Sequence, residues 1–400
     1  MPPFLATIFE NMIMMAWTVI SAAWWYIVIW AAICVAWYVI KAERFGLTGP
    51  PYLLIYRTTR LNKIIERISA WNPTLWRTFW NIGIVTGVGL MVIAFYFLSN
   101  NLSLLLVKPK QAGAIQPIIP IPGVGVTFQT FPYLAVALSI LLVSHELSHG
   151  IASLADHIPL KSTGLIFAHV VMGGFVEPVE EKLNQARNLS KLRVFAAGSF
   201  TNIVLGIFVL FLAFTFPTTT AIFYSHGGVT ISSISPTLPA YHSGLSVGDT
   251  VTSVNGTKIA DVNALRAYMG SVQPGQVVLL QTQNGTFAIK TAQDPTNSSH
   301  ALIGVGLGDA YSPKLPFLSP GLPAAVQEEE FWLYNVLISV AFINMLPAAP
   351  FDGDKYLDSL LKLFGVKDTT KLLKGANTIA WALLLANIGL SLIRFGFVRY

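Results

Sequence analysis

Six stretches of this 400-residue chain run for about twenty residues or more with almost no charge, and that constrains the fold more than any other feature. They are Asn11 to Ile40, Thr78 to Val107, Phe131 to Ala155, Val194 to Tyr224, Phe331 to Phe351 and Gly375 to Ile393; five hold no charged side chain and the third holds only Glu146. Each is long enough to cross ~30 Å of hydrocarbon. A backbone in lipid must satisfy its own N–H and C=O groups, so each stretch reads as a helix. Composition agrees: 54% of residues are hydrophobic and 11% charged, against about 25% charged in ordinary soluble domains. The expected fold class is an α-helical polytopic membrane protein with six transmembrane helices in the lipid bilayer.

Basic residues give the orientation. Loop 41 to 77 carries seven, segment 161 to 193 five and segment 355 to 374 five, and these alternate connections hold 17 of the 25 in the chain. The positive-inside rule places them in the cytosol, so both termini and segment 225 to 330 are expected outside a cell membrane crossed several times. The net charge of +6 is then a topology signal, and no nucleic-acid partner is expected. The first stretch does not read as a cleavable signal peptide, because Glu10 precedes it where basic residues would stand and it is too long. Cys34, the single cysteine, lies in that stretch and reads as a buried apolar thiol, with no disulfide framework.

The third stretch carries His145-Glu146-Leu147-Ser148-His149. On a helix the two histidines share one face, where both imidazoles can bind one Zn²⁺ and Glu146 can act on water at the metal. Two histidines and a glutamate at membrane depth are costly unless they bind or pair. The reading is a metalloprotease whose active site lies inside the bilayer. A third ligand is needed. Near the end of the fifth stretch, Asn344-Met345-Leu346-Pro347-Ala348-Ala349-Pro350-Phe351-Asp352-Gly353-Asp354 has two prolines and a glycine that unwind a helix, which leaves Asp352 free either to turn inward or to sit at the interface. At 1.5 Å rise per residue, His145, Asn202 and Asn344 all fall in the cytosolic half of the core.

Only segment 225 to 310 has the grammar of a soluble domain: short alternating runs such as Val229-Thr230-Ile231, turn signals at Asn255-Gly256, Pro274-Gly275 and Asn284-Gly285, and a short helix over Val262 to Met269. Its order of motifs, from Ser235-Pro236 through Ser243-Gly244-Leu245 and Gly248-Asp249 to Asn255-Gly256, resembles a PDZ domain, which implies a small β-rich extramembrane module with a possible peptide ligand. Segment 162 to 178 is apolar yet lies between spans. With Gly173-Gly174 as its hairpin signal it reads as a re-entrant β-loop against the active site, able to offer an edge strand to an unwound substrate. His169 within it reads as a packing residue, since three ligands are already at hand.

The HExxH stretch, the Asn344-to-Gly353 pattern, the Gly198-Ser199-Phe200-Thr201-Asn202 element and the PDZ-like insert together resemble the site-2 protease family of intramembrane zinc metalloproteases, in a six-span archaeal-type arrangement. The resemblance covers residues 131 to about 365. It implies that His145, His149 and Asp352 bind Zn²⁺, that Glu146 is the catalytic base, and that Asn202 and Asn344 hold the substrate backbone or the developing oxyanion. It also implies transmembrane-helix proteins as substrates. Two residues depart from the family pattern: Ser199 stands where proline is usual, and Asp354 where a second glycine is usual, so Asp354 could compete as a ligand. The division expected is 1–110, two spans with a basic loop; 111–224, the catalytic core with the β-loop; 225–310, the PDZ-like module; and 311–400, the fifth and sixth spans. A catalytically inactive helix-binding receptor or chaperone is the alternative that an intact HExxH disfavours. A transporter would spread its polar residues along a route, whereas these cluster at one depth.

Overall fold

In the computed structural model, which describes residues 3–41, 44, 47–48, 53–168, 171–294, 297–398 and 400, the uncharged stretches are helical apart from the end of the fifth. Helix α1 spans Pro3–Ile40. The basic connection after it forms two short strands, β1 (Leu47–Thr48) and β2 (Leu54–Thr58), and an amphipathic helix, α2 (Asn62–Trp71). Asn72 then caps α3 (Pro73–Val107): its side chain accepts from the Leu75 N–H at 2.9 Å, and Pro73 fills the first turn, where no N–H is needed. Helix α4 (Phe131–Ala155) carries the HExxH sequence. Strands β3 (Leu160–Ala168) and β4 (Val171–Pro178), the short helix α5 (Glu180–Gln185) and helix α6 (Asn188–Phe223) follow.

The outward faces of these helices are as apolar as the inward ones. Val85 of α3 is 74% exposed and Val143 of α4 is 63% exposed, which suits lipid and would be a liability in water. Inward, Ile65, Trp80, Ile151, Ala152, Val194 and Phe200 pack α2, α3, α4 and α6 together. Strands β1 to β4 form one antiparallel sheet in chain order, with β2 laid along β3 from Leu54 against Phe167 to Thr58 against Thr163. The hairpin expected over 162 to 178 is present, but its glycines are not the turn. Gly173 and Gly174 pair within β4, opposite Ile166 and Leu165, and the pairs run on to Ala168 with Val171. His169 lies outside the described residues.

The insert is built from β5 (Tyr224–Ile234), β6 (Thr250–Val254), β7 (Thr257–Lys258), α7 (Val262–Met269), β8 (Val277–Thr282), β9 (Gly285–Lys290), β10 (Ala292–Gln293), β11 (Ala301–Leu302) and β12 (Val305–Pro313). Its main sheet has the order β12-β5-β6-β8-β9, so its first and last strands are neighbours. Asn255 and Gly256 both take positive φ, +48° and +80°, in the two-residue turn from β6 to β7. Asp261 caps α7, accepting from the Ala264 N–H at 2.7 Å. Val229, Ile231, Val251, Val254, Leu265 and Leu280 are among the residues of its closed apolar core. Residues 211–330 form one compact unit, and 1–210 with 331–400 form another.

Helices α8 (Leu322–Asn344), α9 (Asp352–Leu363) and α10 (Thr370–Phe395) complete the chain. Among the described residues five helices are long and apolar enough to cross a membrane, where six were expected: Ala23–Ile40 of α1, then α3, α4, α6 and α10. The difference lies in the fifth stretch. Its helix stops at Asn344, and Glu328, Glu329 and Glu330 precede Phe331, so the uncharged helical part is short. The prolines beyond Asn344 explain the early stop.

Candidate metal centre

His145 and His149 lie one turn apart on α4 with their Nε2 atoms 3.1 Å from each other. Asp352 joins them: its Oδ2 is 3.3 Å from His145 Nε2 and 3.2 Å from His149 Nε2. Metal–ligand bonds of about 2.0–2.1 Å in a tetrahedral zinc site place two ligand atoms about 3.3 Å apart. The triangle of donors therefore has the size zinc requires, and both rings are buried. Three protein ligands would leave a tetrahedral zinc one position for a reacting group, as in catalytic rather than structural sites. Asp354, the feared competitor, is not in the cluster; its backbone N–H donates to Phe351 at 3.2 Å in the first turn of α9.

Local sequence explains how three distant residues meet. Between Asn344 and Asp352 the chain leaves the helix, as Pro347 and Pro350 demand, and Asp352 opens α9. Gly353 is pressed against the backbone of Met345 and Leu346, where no side chain would fit. On the other side, α6 comes up to the imidazoles at Gly198, and a Cβ there would stand 2.6 Å from His149 Nε2. That bare backbone lets His149 Nδ1 reach the carbonyl of Val194 at 2.7 Å, with Nδ1 donating and Nε2 left free for metal. Asn202, a turn beyond Gly198, places its amide 3.1 Å from His145 Nδ1. Asn344 places its Nδ2 3.3 Å from His145 Nε2. Ser199 is fully buried, and its hydroxyl has no hydrogen-bond partner among the described residues.

Glu146 sits between the cluster of His145, His149 and Asp352 and the hairpin. Its Oε2 accepts the backbone N–H of Val176 in β4 at 3.0 Å, and Gly174 in the same strand lies against its Cγ. A cavity of about 270 Å³ opens here, lined by His145, Glu146, His149, Val176, Asn344 and Asp352 among others. Every residue that lines it lies outside 211–330.

Residues 133–387 match the model described as Peptidase family M50. The chain belongs to that family. With its three-ligand cluster and apolar helices, this M50 protein is a membrane zinc metalloprotease. It is 24% identical to an uncharacterized protein of Methanocaldococcus jannaschii over 335 residues, 80% of this chain and 81% of the other. It is 26% identical to a membrane-bound transcription factor site-2 protease homolog of Arabidopsis thaliana over 208 residues, 51% of this chain and 39% of the other. The PDZ domain of an SdrC-like protein from Listeria monocytogenes aligns with 21% of this chain and 90% of its own, at 24% identity and a TM-score of 0.19.

Three parts of the M50 site escape a reading of its motifs. One is the Val176 N–H on Glu146. Another is β2, which extends the hairpin from the basic loop; its signal was the apolar run Leu53-Leu54-Ile55-Tyr56 inside otherwise charged sequence. The third is a clasp at the end of α4. Asp156, 2% exposed, receives Arg193 Nη1 at 2.8 and 3.0 Å and lies 3.4 Å from Arg77 Nε. Arg193 also donates to Asn81 at 2.8 Å, so α3, α4 and α6 are joined about two turns beyond His149. Sequence shows the charges but not their pairing.

Proposed function

We propose that this M50 protein is an intramembrane endoprotease that hydrolyses a peptide bond within transmembrane segments of membrane-anchored proteins. The observation that carries the reading is that Glu146 and the three ligand side chains line one cavity, whose ligand atoms lie 3.1–3.3 Å apart. Zinc, when bound, supplies Lewis-acid polarisation of the scissile carbonyl and lowers the pKa of water toward about 7. Glu146 takes the proton of the attacking water and delivers it to the leaving amine. Asn344, which faces the cavity, donates to the carbonyl oxygen as negative charge develops on it.

A helical peptide bond is closed to a nucleophile, so the substrate must unwind. Among the described residues strand β4 ends its sheet with one edge unpaired, and it touches Glu146 through Val176, which suits it to hold an extended substrate by main-chain hydrogen bonds. The distribution of basic residues supports six crossings, with α8 and the non-helical stretch after it together forming the fifth and the metal in the cytosolic half. The insert, on this reading, is a PDZ-like module outside that selects substrates by extended segments.

Purified protein in lipid nanodiscs should hold one zinc per chain and cut a model transmembrane helix. Removal of zinc by a chelator should stop cleavage, and added zinc should restore it. Zinc-replete protein that cuts no helix, while a mixed membrane extract of the same substrate is cut by a related protease, would defeat the proposal.

A further inference from the structure

The two histidines of the centre differ in what stands behind them. His149 has a fixed acceptor at Nδ1, the backbone carbonyl of Val194, which can only receive a proton. His145 has a side-chain amide, Asn202, 3.1 Å from its Nδ1. A histidine that gives Nε2 to a metal carries its proton on Nδ1, and that N–H needs an acceptor. With the Asn202 nitrogen turned toward His145 the pair is matched to the wrong tautomer, and Asn202 Oδ1 is left buried with no hydrogen-bond partner among the described residues. A half-turn of the amide exchanges oxygen and nitrogen without moving any other atom and puts the acceptor where the Nδ1–H points.

Burial separates Asn202 from the other asparagine. Asn202 is completely buried and takes no part in lining the cavity, whereas Asn344 lines it. A substrate carbonyl can reach Asn344 and cannot reach Asn202. The oxyanion role implied by the family pattern for both asparagines therefore suits only one of them.

We infer that Asn202 is a positioning residue: its amide oxygen accepts the Nδ1–H of His145, setting the ring's tautomer and aim so that Nε2 faces the metal. The inference rests on the zinc reading of His145, His149 and Asp352. Removal of such an outer partner weakens metal binding about 10–100-fold.

The test is zinc affinity of the full-length protein, read by competition with a chromophoric chelator, with the visible spectrum of the Co²⁺-loaded protein alongside. Asn202→Leu keeps the volume and loses the acceptor; its affinity should fall at least tenfold and its Co²⁺ spectrum should change. Asn202→Asp keeps the acceptor and should bind zinc within about threefold of the parent or tighter, as a carboxylate–histidine–zinc triad. Parental affinity in the leucine variant overturns the inference, and so does an aspartate variant more than tenfold weaker than the parent. Should leucine impair folding in a melt of the metal-free protein, the aspartate variant alone decides by the same limits. A parent that binds no zinc would strike the proposed function itself and not the role of Asn202.

Discussion

Val176 donates its backbone N–H to Oε2 of Glu146 at 3.0 Å, so an edge strand of the hairpin holds the side chain best placed to move protons in the site. The carboxylate is pinned through this oxygen in a side chain that lines the cavity. The bond also means that whatever pairs with β4 is registered against the same side chain that acts on water.

Glu146→Gln should keep this hydrogen bond, because the amide oxygen can accept from Val176, and it removes no zinc ligand. Fold and zinc content should match the parent. Cleavage should fall by about 10²–10⁴, since an amide cannot take the proton of water. Zinc analysis and turnover of a model helix check both halves, and near-parental turnover would remove Glu146 from the mechanism.

Geometry separates two carboxylates that stand two residues apart in the sequence. Asp352 Oδ2 lies within 3.3 Å of both imidazole Nε2 atoms, and Asp354 is outside the cluster. Asp352→Ala leaves two ligands and should reduce zinc affinity by several orders of magnitude, whereas Asp354→Ala should change it less than about threefold. Chelator competition on the two variants tests this. The reverse order of effects would place the ligand two residues further along.

How much of this was legible beforehand depends on the range of the interaction. The HExxH spacing is local to one helix turn, so the approach of His145 and His149 could be read directly. The bounds of α7 could be read too, because Asp261 and the residues that follow carry a local capping signal. The meeting of His145 with Asn202, Asn344 and Asp352 was reached through depth arithmetic and family pattern, and nothing local encodes it. The turn assigned to Gly173-Gly174 failed for a physical reason. Gly174 admits the strand against Leu142 and Glu146, which is a packing demand and not a turn demand, and Gly173 has open space where a side chain would stand. The end of α8 at Asn344 was legible too, because Pro347 and Pro350 are local signals that stop a helix inside an apolar run.

Gly198 carries a sharper expectation than its place in mid-helix suggests. In an exposed helix Gly→Ala is favourable by about 1 kcal/mol. Here the added Cβ would stand 2.6 Å from His149 Nε2 and closer still to the His145 ring, atoms that cannot withdraw without leaving the metal. Gly198→Ala should therefore lower zinc affinity at least tenfold while leaving the helical content and the metal-free melting temperature of the protein unchanged or slightly raised. Equal affinity in the variant would mean that α6 can back away from the rings.

The insert offers a prediction of the opposite kind, in which a large change should leave the chemistry in place. No described residue of 211–330 lines the cavity, and the module closes its own core. Its entry and exit are paired strands: Tyr224 faces Pro313, and Lys314 donates its N–H to the Phe223 carbonyl at 2.8 Å. Residues 226 to 310 can therefore be replaced by a few Gly/Ser residues without stretching the chain. The shortened protein should bind zinc with parental affinity and cut a short model helix at a rate within about tenfold of the parent. Its choice among full-length membrane substrates should change if the insert recognises extended segments as proposed, since such a module can admit or exclude them without supplying a catalytic group. The decisive comparison is the ratio of cleavage rates for the short helix and for a substrate with a bulky domain outside the membrane. A shortened protein that keeps its helicity and zinc yet cuts neither substrate would show that the insert holds the site open, and the filter role would be lost.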